Sequence, residues 1–408
     1  MSNNISQNRL DELTKLALNF YDYKKNYKKN MTSSNQKEII MKLFNATSYD
    51  WNDWHWQLKN RINSPEQLKQ IFNLSEDETE KIRKVNSKYR FSVTPYYLSL
   101  IRIFNDTDPI YLQSIPQDKE LLAIGELDPT NENGTNPVGV IIRRYPDRVI
   151  LNLTNCCATF CRHCQRRRNI GKIDKCASKQ DIKDSIEYIK KHPEIRDVLI
   201  TGGDPLTLED EFIDQILNQI RNIKTVEIIR IGTRMPVTLP QRITVNLINI
   251  LKKYSPIFVN TQFNHPNEIT SESIAACETL SKNGIILGNQ MVFLKGINDD
   301  YYTLQLLNQF LLKSYVRPYY IFHPKNVIGT HHFSISIEKG LEIYEKLRGN
   351  TSGLAIPTYV YSASNGLGKI SLSSDVLKNV DSNNNYILKT WENKEIKVKR
   401  EHEKRNEI

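Results

Sequence analysis

RVILNLTNCCATFCRHCQRRR, residues 148–168, decides how this chain reads. Arg148–Leu153 is a short apolar, β-branched run, and a loop holding four cysteines follows it directly. The same strand signature recurs at Asp197–Thr201, Val226–Gly232, Ile257–Gln262, Ile285–Phe293, Pro318–Phe322 and Ile356–Tyr361. Amphipathic stretches alternate with these runs, among them Lys179–Lys191, Glu209–Ile223, Ile243–Tyr254, Ser271–Asn283 and Ser336–Arg348. Repeated βα units of this length imply a parallel sheet covered by helices. Six or seven units, with no GxGxxG after the first strand, predict an α/β fold with a partial (β/α)6-type barrel, not a dinucleotide-binding sheet. Chemistry in βα barrels sits at the C-terminal strand ends. The cysteine loop, Gly202-Gly203-Asp204 and Lys369 are therefore expected on one rim.

Outward from the barrel, residues 1–45 are rich in Asn, Lys and Tyr and read as a polar arm, helical or partly ordered. Residues 46–140 read as mostly helical, with N-cap signals at Ser64-Pro65-Glu66 and Ser75-Glu76-Asp77. Asp128–Val138 reads as a loop from its Asn, Gly and Pro content. The barrel is expected over 141–372 and a tail over 373–408. A chain of 408 residues suits one large barrel with an extension. No apolar run is long enough for a transmembrane helix, and the N-terminus lacks the pattern of a signal peptide; a cytoplasmic location is expected. Net charge is +10, but the Lys-rich stretches Tyr23–Lys29 and Lys394–Lys404 read as solvated ends, so neither nucleic acid nor membrane is expected as a partner.

The six cysteines are Cys156, Cys157, Cys161, Cys164, Cys176 and Cys277. Four lie within nine residues, which in a cytosolic chain argues for metal or cluster ligation, not disulfides. Cys157, Cys161 and Cys164 form CxxxCxxC. Three thiolates can hold three irons of a [4Fe–4S] cluster and leave the fourth iron open to another ligand. The competing reading is a zinc site closed by His163 or Cys156. Combined with the arginines at 166–168, it gives a zinc-bound nucleic-acid-binding protein, but no aromatic-rich surface is interleaved with those arginines. Cys156 reads as packing, and Cys176 and Cys277 as core or surface thiols.

The cysteine spacing at the end of the first barrel strand is that of the radical S-adenosylmethionine (SAM) superfamily. The run CRHCQRRR (Cys161–Arg168) resembles the cluster loop of the lysine 2,3-aminomutase family. RRYPDR (Arg143–Arg148), TGGDPL (Thr201–Leu206), RIGTRMPVTLPQRIT (Arg230–Thr244), FNHPNEIT (Phe263–Thr270), LGNQ (Leu287–Gln290), RPYYIF (Arg317–Phe322) and LRGNTSG (Leu347–Gly353) resemble further motifs of that family. Upstream, WNDWHWQLKNRI (Trp51–Ile62) and TPYYLSLI (Thr94–Ile101) resemble its N-terminal region. The resemblance spans roughly residues 45–372 and implies a radical SAM partial barrel with a helical N-terminal extension. It also implies an isomerase that moves an amino group between neighbouring carbons of an amino acid, using a [4Fe–4S] cluster, SAM and pyridoxal phosphate. An electron donor such as ferredoxin or flavodoxin and a homo-oligomeric state are further implications. Cys157, Cys161 and Cys164 match the cluster ligands. Lys369, after the turn Asn365-Gly366-Leu367-Gly368, matches the Schiff-base lysine. Arg144 and Arg148 match the arginines around the cofactor phosphate, where fork-shaped donors suit a dianion. Tyr145 and Gln290 match contacts to the cofactor, and Arg166 matches the grip on the substrate α-carboxylate. His163, Gly202, Gly203 and Asp204 are expected at SAM.

Two departures bear on the substrate. Lysine-specific members hold the distal ammonium with two aspartates; at those positions stand Lys325, in YYIFHPKNVIG, and Ser362, seven residues before Lys369. A charge pair at about 4 Å is worth on the order of 4 kcal/mol at an effective dielectric near 20. Lys325 would repel a lysine ammonium by about what an aspartate would gain. The pattern is similar to that of the family branch acting on glutamate, and it predicts L-glutamate as substrate, with L-lysine as the alternative. Gly353–Ile408 contains no cysteine, so the intersubunit zinc of some family members is not expected.

Overall fold

The computed structural model describes residues 2–29, 35–373, 377–382, 385–390, 392 and 394–399. Seven parallel strands form its centre: β2 (Arg148–Asn152), β3 (Asp197–Thr201), β4 (Ile228–Gly232), β5 (Ile257–Thr261), β6 (Ile286–Val292), β7 (Arg317–Phe322) and β8 (Thr358–Ser362). β1 (Ile141–Tyr145) adds antiparallel to one edge and β9 (Lys369–Ser371) to the other. Strand order follows chain order from β1 to β9, with a helix between successive parallel strands. This is the expected α/β partial barrel of six βα units, finished by a seventh parallel strand.

Burial within the strands explains the geometry. Along β2 and β4 fully buried residues alternate with half-buried ones. The buried set, such as Val149, Leu151, Ile229 and Ile231, packs into the core under the helices. The other set, including Arg148, Arg230, Gln290 and Tyr320, lines a lumen. Parallel register keeps one face in phase from strand to strand, so Ile150, Leu199, Arg230 and Phe258 follow each other across the sheet.

Side-chain caps set the helix starts. Ser178, Thr244, Thr270, Asp300 and Ser336 each accept the backbone N–H of the third helical residue, at 2.9–3.2 Å. Ser64 and Ser75 form full capping boxes.

The N-terminal half differs in part from the sequence expectation. Helices run from Ser48–Asn52 to Pro109–Ser114, but 122–140 is irregular. Ser2–Lys29 is one helix, laid against the helix Tyr301–Lys313 through Tyr23 stacked on Tyr302. The stretch read as a tail forms an antiparallel sheet of β10 (Leu377–Val380), β11 (Asn385–Lys389) and β12 (Glu395–Lys399); residues 400–408 lie outside the described ones. Among the described residues no helix is long and apolar enough to cross a membrane.

Candidate active site

The cysteine loop is tied to the helical N-terminal region soon after it leaves β2: the Phe160 amide donates to Ser92 O and the Arg162 amide to Gln113 O, both at 2.9 Å. Arg162 and Arg167 turn away from the barrel onto Glu120, which is fully buried. Burial pushes the Glu120 carboxyl up, but these two guanidiniums hold it below the usual range. Arg168 pairs with Asp128 at 2.9 Å. The arginine run is therefore bound to acids of its own chain and offers no open basic surface, against the nucleic-acid reading.

With Arg162 and Arg167 anchored outward, His163, Cys164 and Arg166 face the rim. Cys157, Cys161 and Cys164 lie close enough to act on one another electrostatically. Burial, then Asp204 and the other two thiols, push the Cys157 thiol well up; burial, then Cys161, push the Cys164 thiol to about 11. Donors already point at two sulfurs: Arg234 Nη1 at 2.7 Å from Cys161 Sγ, and the Arg166 amide at 3.3 Å from Cys164 Sγ. Among the described residues no three His, Cys, Asp or Glu side chains converge on a single-ion site. A cubane takes one thiolate per iron, so its ligands need not converge on one point. Cys156 turns to Arg61 and Asp174, 3.6 and 3.3 Å away. Cys176 is exposed and Cys277 buried.

Gly202 and Gly203 lie flat on this loop. A Cβ on Gly202 would stand 2.4 Å from Thr154 O, and one on Gly203 2.3 Å from Cys156 O. Asp204 is buried, and its carboxylate accepts from Thr233 Oγ1 at 2.7 Å and the Arg234 amide at 2.7 Å. It is thus committed to protein donors. Its carboxyl is raised by burial, against those hydrogen bonds. The His163 ring lies edge-on to Phe333, with Nε2 3.3 Å from Asn264 Nδ2. Burial, then Arg234, hold it neutral, and its Nδ1 has no partner among the described residues.

Lys369 stands at the exposed mouth of the lumen. Register pairs it with Ser362, so the two share a face. Its Nζ stands 5.4–6.0 Å from the ring centres of Tyr145, Tyr320 and Phe322. Its amide donates to Tyr145 Oη at 2.9 Å, and the Arg148 guanidinium lies over the Tyr145 ring, 4.0 Å from its centroid. Desolvation, then Arg230, Arg148 and Arg144, lower the Lys369 ammonium to about 8. Gln290 lies on β6 in register with Tyr320.

Between lumen and cluster loop lies a cationic group that the sequence did not reveal as a unit. Glu132, 4 % exposed, receives Arg144 Nη2 at 2.9 Å and Arg166 Nε at 3.0 and 3.1 Å. Lys325 joins them: burial first, then Arg144 and Arg166, push its ammonium down to about 7, against the pull of Glu132. Glu132, Arg230, Asp197 and Arg234 are site residues that sequence reading passed over.

These residues fit the groups the chemistry needs. The buried Arg144 Nε has no hydrogen-bond partner among the described residues, a donor left to be satisfied by an anion such as a phosphate. An amine partly neutral near pH 8 among aromatic rings suits an aldehyde on a flat heterocycle. Three thiols, two of them under N–H donors, suit an anionic cluster with one open iron.

Comparison with known proteins follows the same division. Residues 151–307 match the family model described as the radical SAM superfamily, and 344–406 the model described as lysine-2,3-aminomutase. The chain is 52 % identical to the glutamate 2,3-aminomutase of Clostridioides difficile, over 90 % of this chain and 87 % of that one. It is 48 % identical to the L-lysine 2,3-aminomutase of Methanococcus maripaludis, over 85 % and 81 % of the two chains. With that of Acetoanaerobium sticklandii it shares 45 % identity, over 86 % and 85 %.

Proposed function

Because the chain belongs to the lysine 2,3-aminomutase family of radical SAM enzymes, and is thus an amino-group isomerase, we propose that it converts L-glutamate to β-glutamate (3-aminopentanedioate). One observation carries the choice of glutamate: Lys325 Nζ donates to Gln165, the neighbour of Arg166, and its ammonium feels the charges of Arg144, Arg166 and Lys369. An inward cation at the distal end attracts a side-chain carboxylate and repels an ammonium.

The chain's residues divide the work. Cys157, Cys161 and Cys164 hold the [4Fe–4S] cluster; His163 and the Gly202-Gly203 turn bound SAM. Asp204 anchors that turn through Thr233 and Arg234 and stands with it at SAM. Lys369, with its lowered amine, holds pyridoxal phosphate. Arg144 and Arg148 take its phosphate, and Tyr145 and Gln290 border its ring. Arg166 grips the substrate α-carboxylate, while Lys325 and Ser362 receive the distal carboxylate. When bound, the cluster with SAM supplies hydrogen abstraction from the substrate β-carbon, and pyridoxal phosphate supplies a conjugated carrier for the migrating nitrogen. A low-potential protein donor such as ferredoxin or flavodoxin would reduce the cluster. Exposed Leu10, Leu13 and Leu16, three residues apart along the N-terminal helix, offer a surface for self-association.

L-lysine is the second reading, favoured by the lysine-acting relatives. It requires an uncommitted acid at the distal end. The acid that acts on Lys325, Glu132, is already taken by Arg144 and Arg166. The deciding experiment is anaerobic turnover of reconstituted enzyme with SAM, pyridoxal phosphate and a reductant, offering L-glutamate and L-lysine separately. β-Glutamate as the sole product is expected; β-lysine as the product would overturn the choice of substrate.

A further inference from the structure

Glu132 stands in a loop that sequence reading takes as mere connection, yet it is nearly inaccessible to solvent and touches two arginines of the site. It takes one edge of the Arg166 guanidinium, Nε and Nη2, at 3.0–3.1 Å. Arg166 Nη1 then has no protein acceptor among the described residues. On Arg144, Glu132 takes Nη2 at 2.9 Å, beside Thr130 Oγ1 at 3.2 Å, and Nε stays without a partner. A planar guanidinium held on one edge has its other donors fixed in direction.

The loop that carries Glu132 is built to stay. The Asn133 amide donates to Asp128 Oδ2 and the Gly134 amide to Asn131 Oδ1, both at 3.0 Å. The Arg143 amide donates to Thr135 O at 2.8 Å, which ties the loop to β1. On its other side Thr135 packs so closely on Gly366 that a Cβ there would come within 2.7 Å. The loop is therefore braced against the turn that leads to Lys369. Arg168 reaches both Asp128 at 2.9 Å and Glu132 at 3.7 Å.

We propose that Glu132 is a positioning residue of the aminomutase site: from this braced loop it holds Arg144 and Arg166 at a fixed spacing and turns their remaining N–H donors toward the cofactor phosphate and the substrate carboxylate. The proposal rests on the roles given above to Arg144 and Arg166. It also gives Glu132 an electrostatic task. Arg144, Arg166, Arg168 and Lys325 gather here, and without a counter-charge they would repel one another.

The test uses full-length protein with Glu132→Ala and Glu132→Gln beside the wild type. Pyridoxal phosphate uptake is titrated by its absorbance without SAM or amino acid; iron content and melting temperature are measured on the same samples, and kcat and KM after reconstitution. Each variant is expected to bind pyridoxal phosphate about tenfold or more weaker, the loss typical of a charged hydrogen bond. KM for the amino acid should rise with it, iron content staying at the wild-type level. Should Glu132→Ala lose iron and melt early, Glu132→Gln, which keeps the shape and removes only the charge, decides by the same titration. Unchanged binding and KM in Glu132→Gln overturn the proposal. So does tighter binding, which would make Glu132 a stand-in for the ligand's own anion. A wild type that takes up no pyridoxal phosphate overturns the cofactor reading beneath it, and this proposal with it.

Discussion

Lys325 and Gln165 are hydrogen-bond partners, Nζ donating to Oε1. Gln165 lies between Cys164 and Arg166, so the bond ties the residue after β7 to the cluster loop. The distal end of the pocket and its α-carboxylate end are thereby held in one frame.

Replacing that cation should therefore change which substrate is held. Lys325→Ala should lower kcat/KM for L-glutamate by about 10- to 150-fold, the equivalent of about 1.5–3 kcal/mol for a charged hydrogen bond. The double variant Lys325→Asp, Ser362→Asp should gain turnover of L-lysine and lose that of L-glutamate. Product analysis for both amino acids checks this; an unaltered glutamate rate in Lys325→Ala would place the distal carboxylate elsewhere.

How much of this was legible in the sequence depends on the kind of signal. β2 to β8 stood out as short runs of β-branched and aromatic residues that alternate with amphipathic stretches of helical length. β1 was missed because IIRRY is half charged, and β9 because its three residues are all exposed. β11 and β12 were hidden in a polar stretch whose strands, such as EIKVK, alternate charge with apolar residues. In the site, CxxxCxxC carries its meaning in its spacing. Lys369 is a lone lysine after a glycine turn and was placed only by resemblance. Glu132 had no signal at all: one acid in a polar loop gains meaning only when three arginines from distant positions close on it.

The two lysines of the pocket imply a definite pH response. Lys325 is held near 7 and Lys369 near 8 in the folded chain, while an unfolded lysine titrates at about 10.4. Between these values the unfolded chain binds more protons, so these lysines make the cofactor-free protein more stable as pH rises from about 7 toward 10. Thermal unfolding across that range should show the rise, and Lys325→Met should flatten it. In catalysis the sign reverses for Lys325, which must be charged to hold a carboxylate. kcat/KM for L-glutamate should fall as pH climbs past about 7, a value that reports the free enzyme. A profile still rising from pH 7 to 9 would be the contrary result.

Cluster ligation separates Cys156 from its neighbour. Cys157→Ser, Cys161→Ser and Cys164→Ser should each lose most of the iron and the visible absorbance on anaerobic reconstitution. Cys156→Ser should keep both, because its thiol faces Arg61 and Asp174. Iron loss on changing Cys156 alone would mean that the loop rearranges around the cluster.

The turn before Lys369 tolerates little. Gly368 has φ +91°, and a Cβ there would stand 3.0 Å from Tyr145 Oη, the atom that receives the Lys369 amide. Gly368→Ala meets both obstacles. The backbone conformation alone costs about 1–2 kcal/mol for a residue with a side chain, and the tyrosine must shift from beneath the lysine. Urea unfolding of the cofactor-free protein should show a loss of about that size. Uptake of pyridoxal phosphate should suffer more, since the shift moves an aromatic wall of its pocket. Gly353→Ala is the control: a Cβ at that position meets nothing within 4 Å, so both measurements should match the wild type. Equal behaviour of the two variants would show that the turn does not aim Lys369.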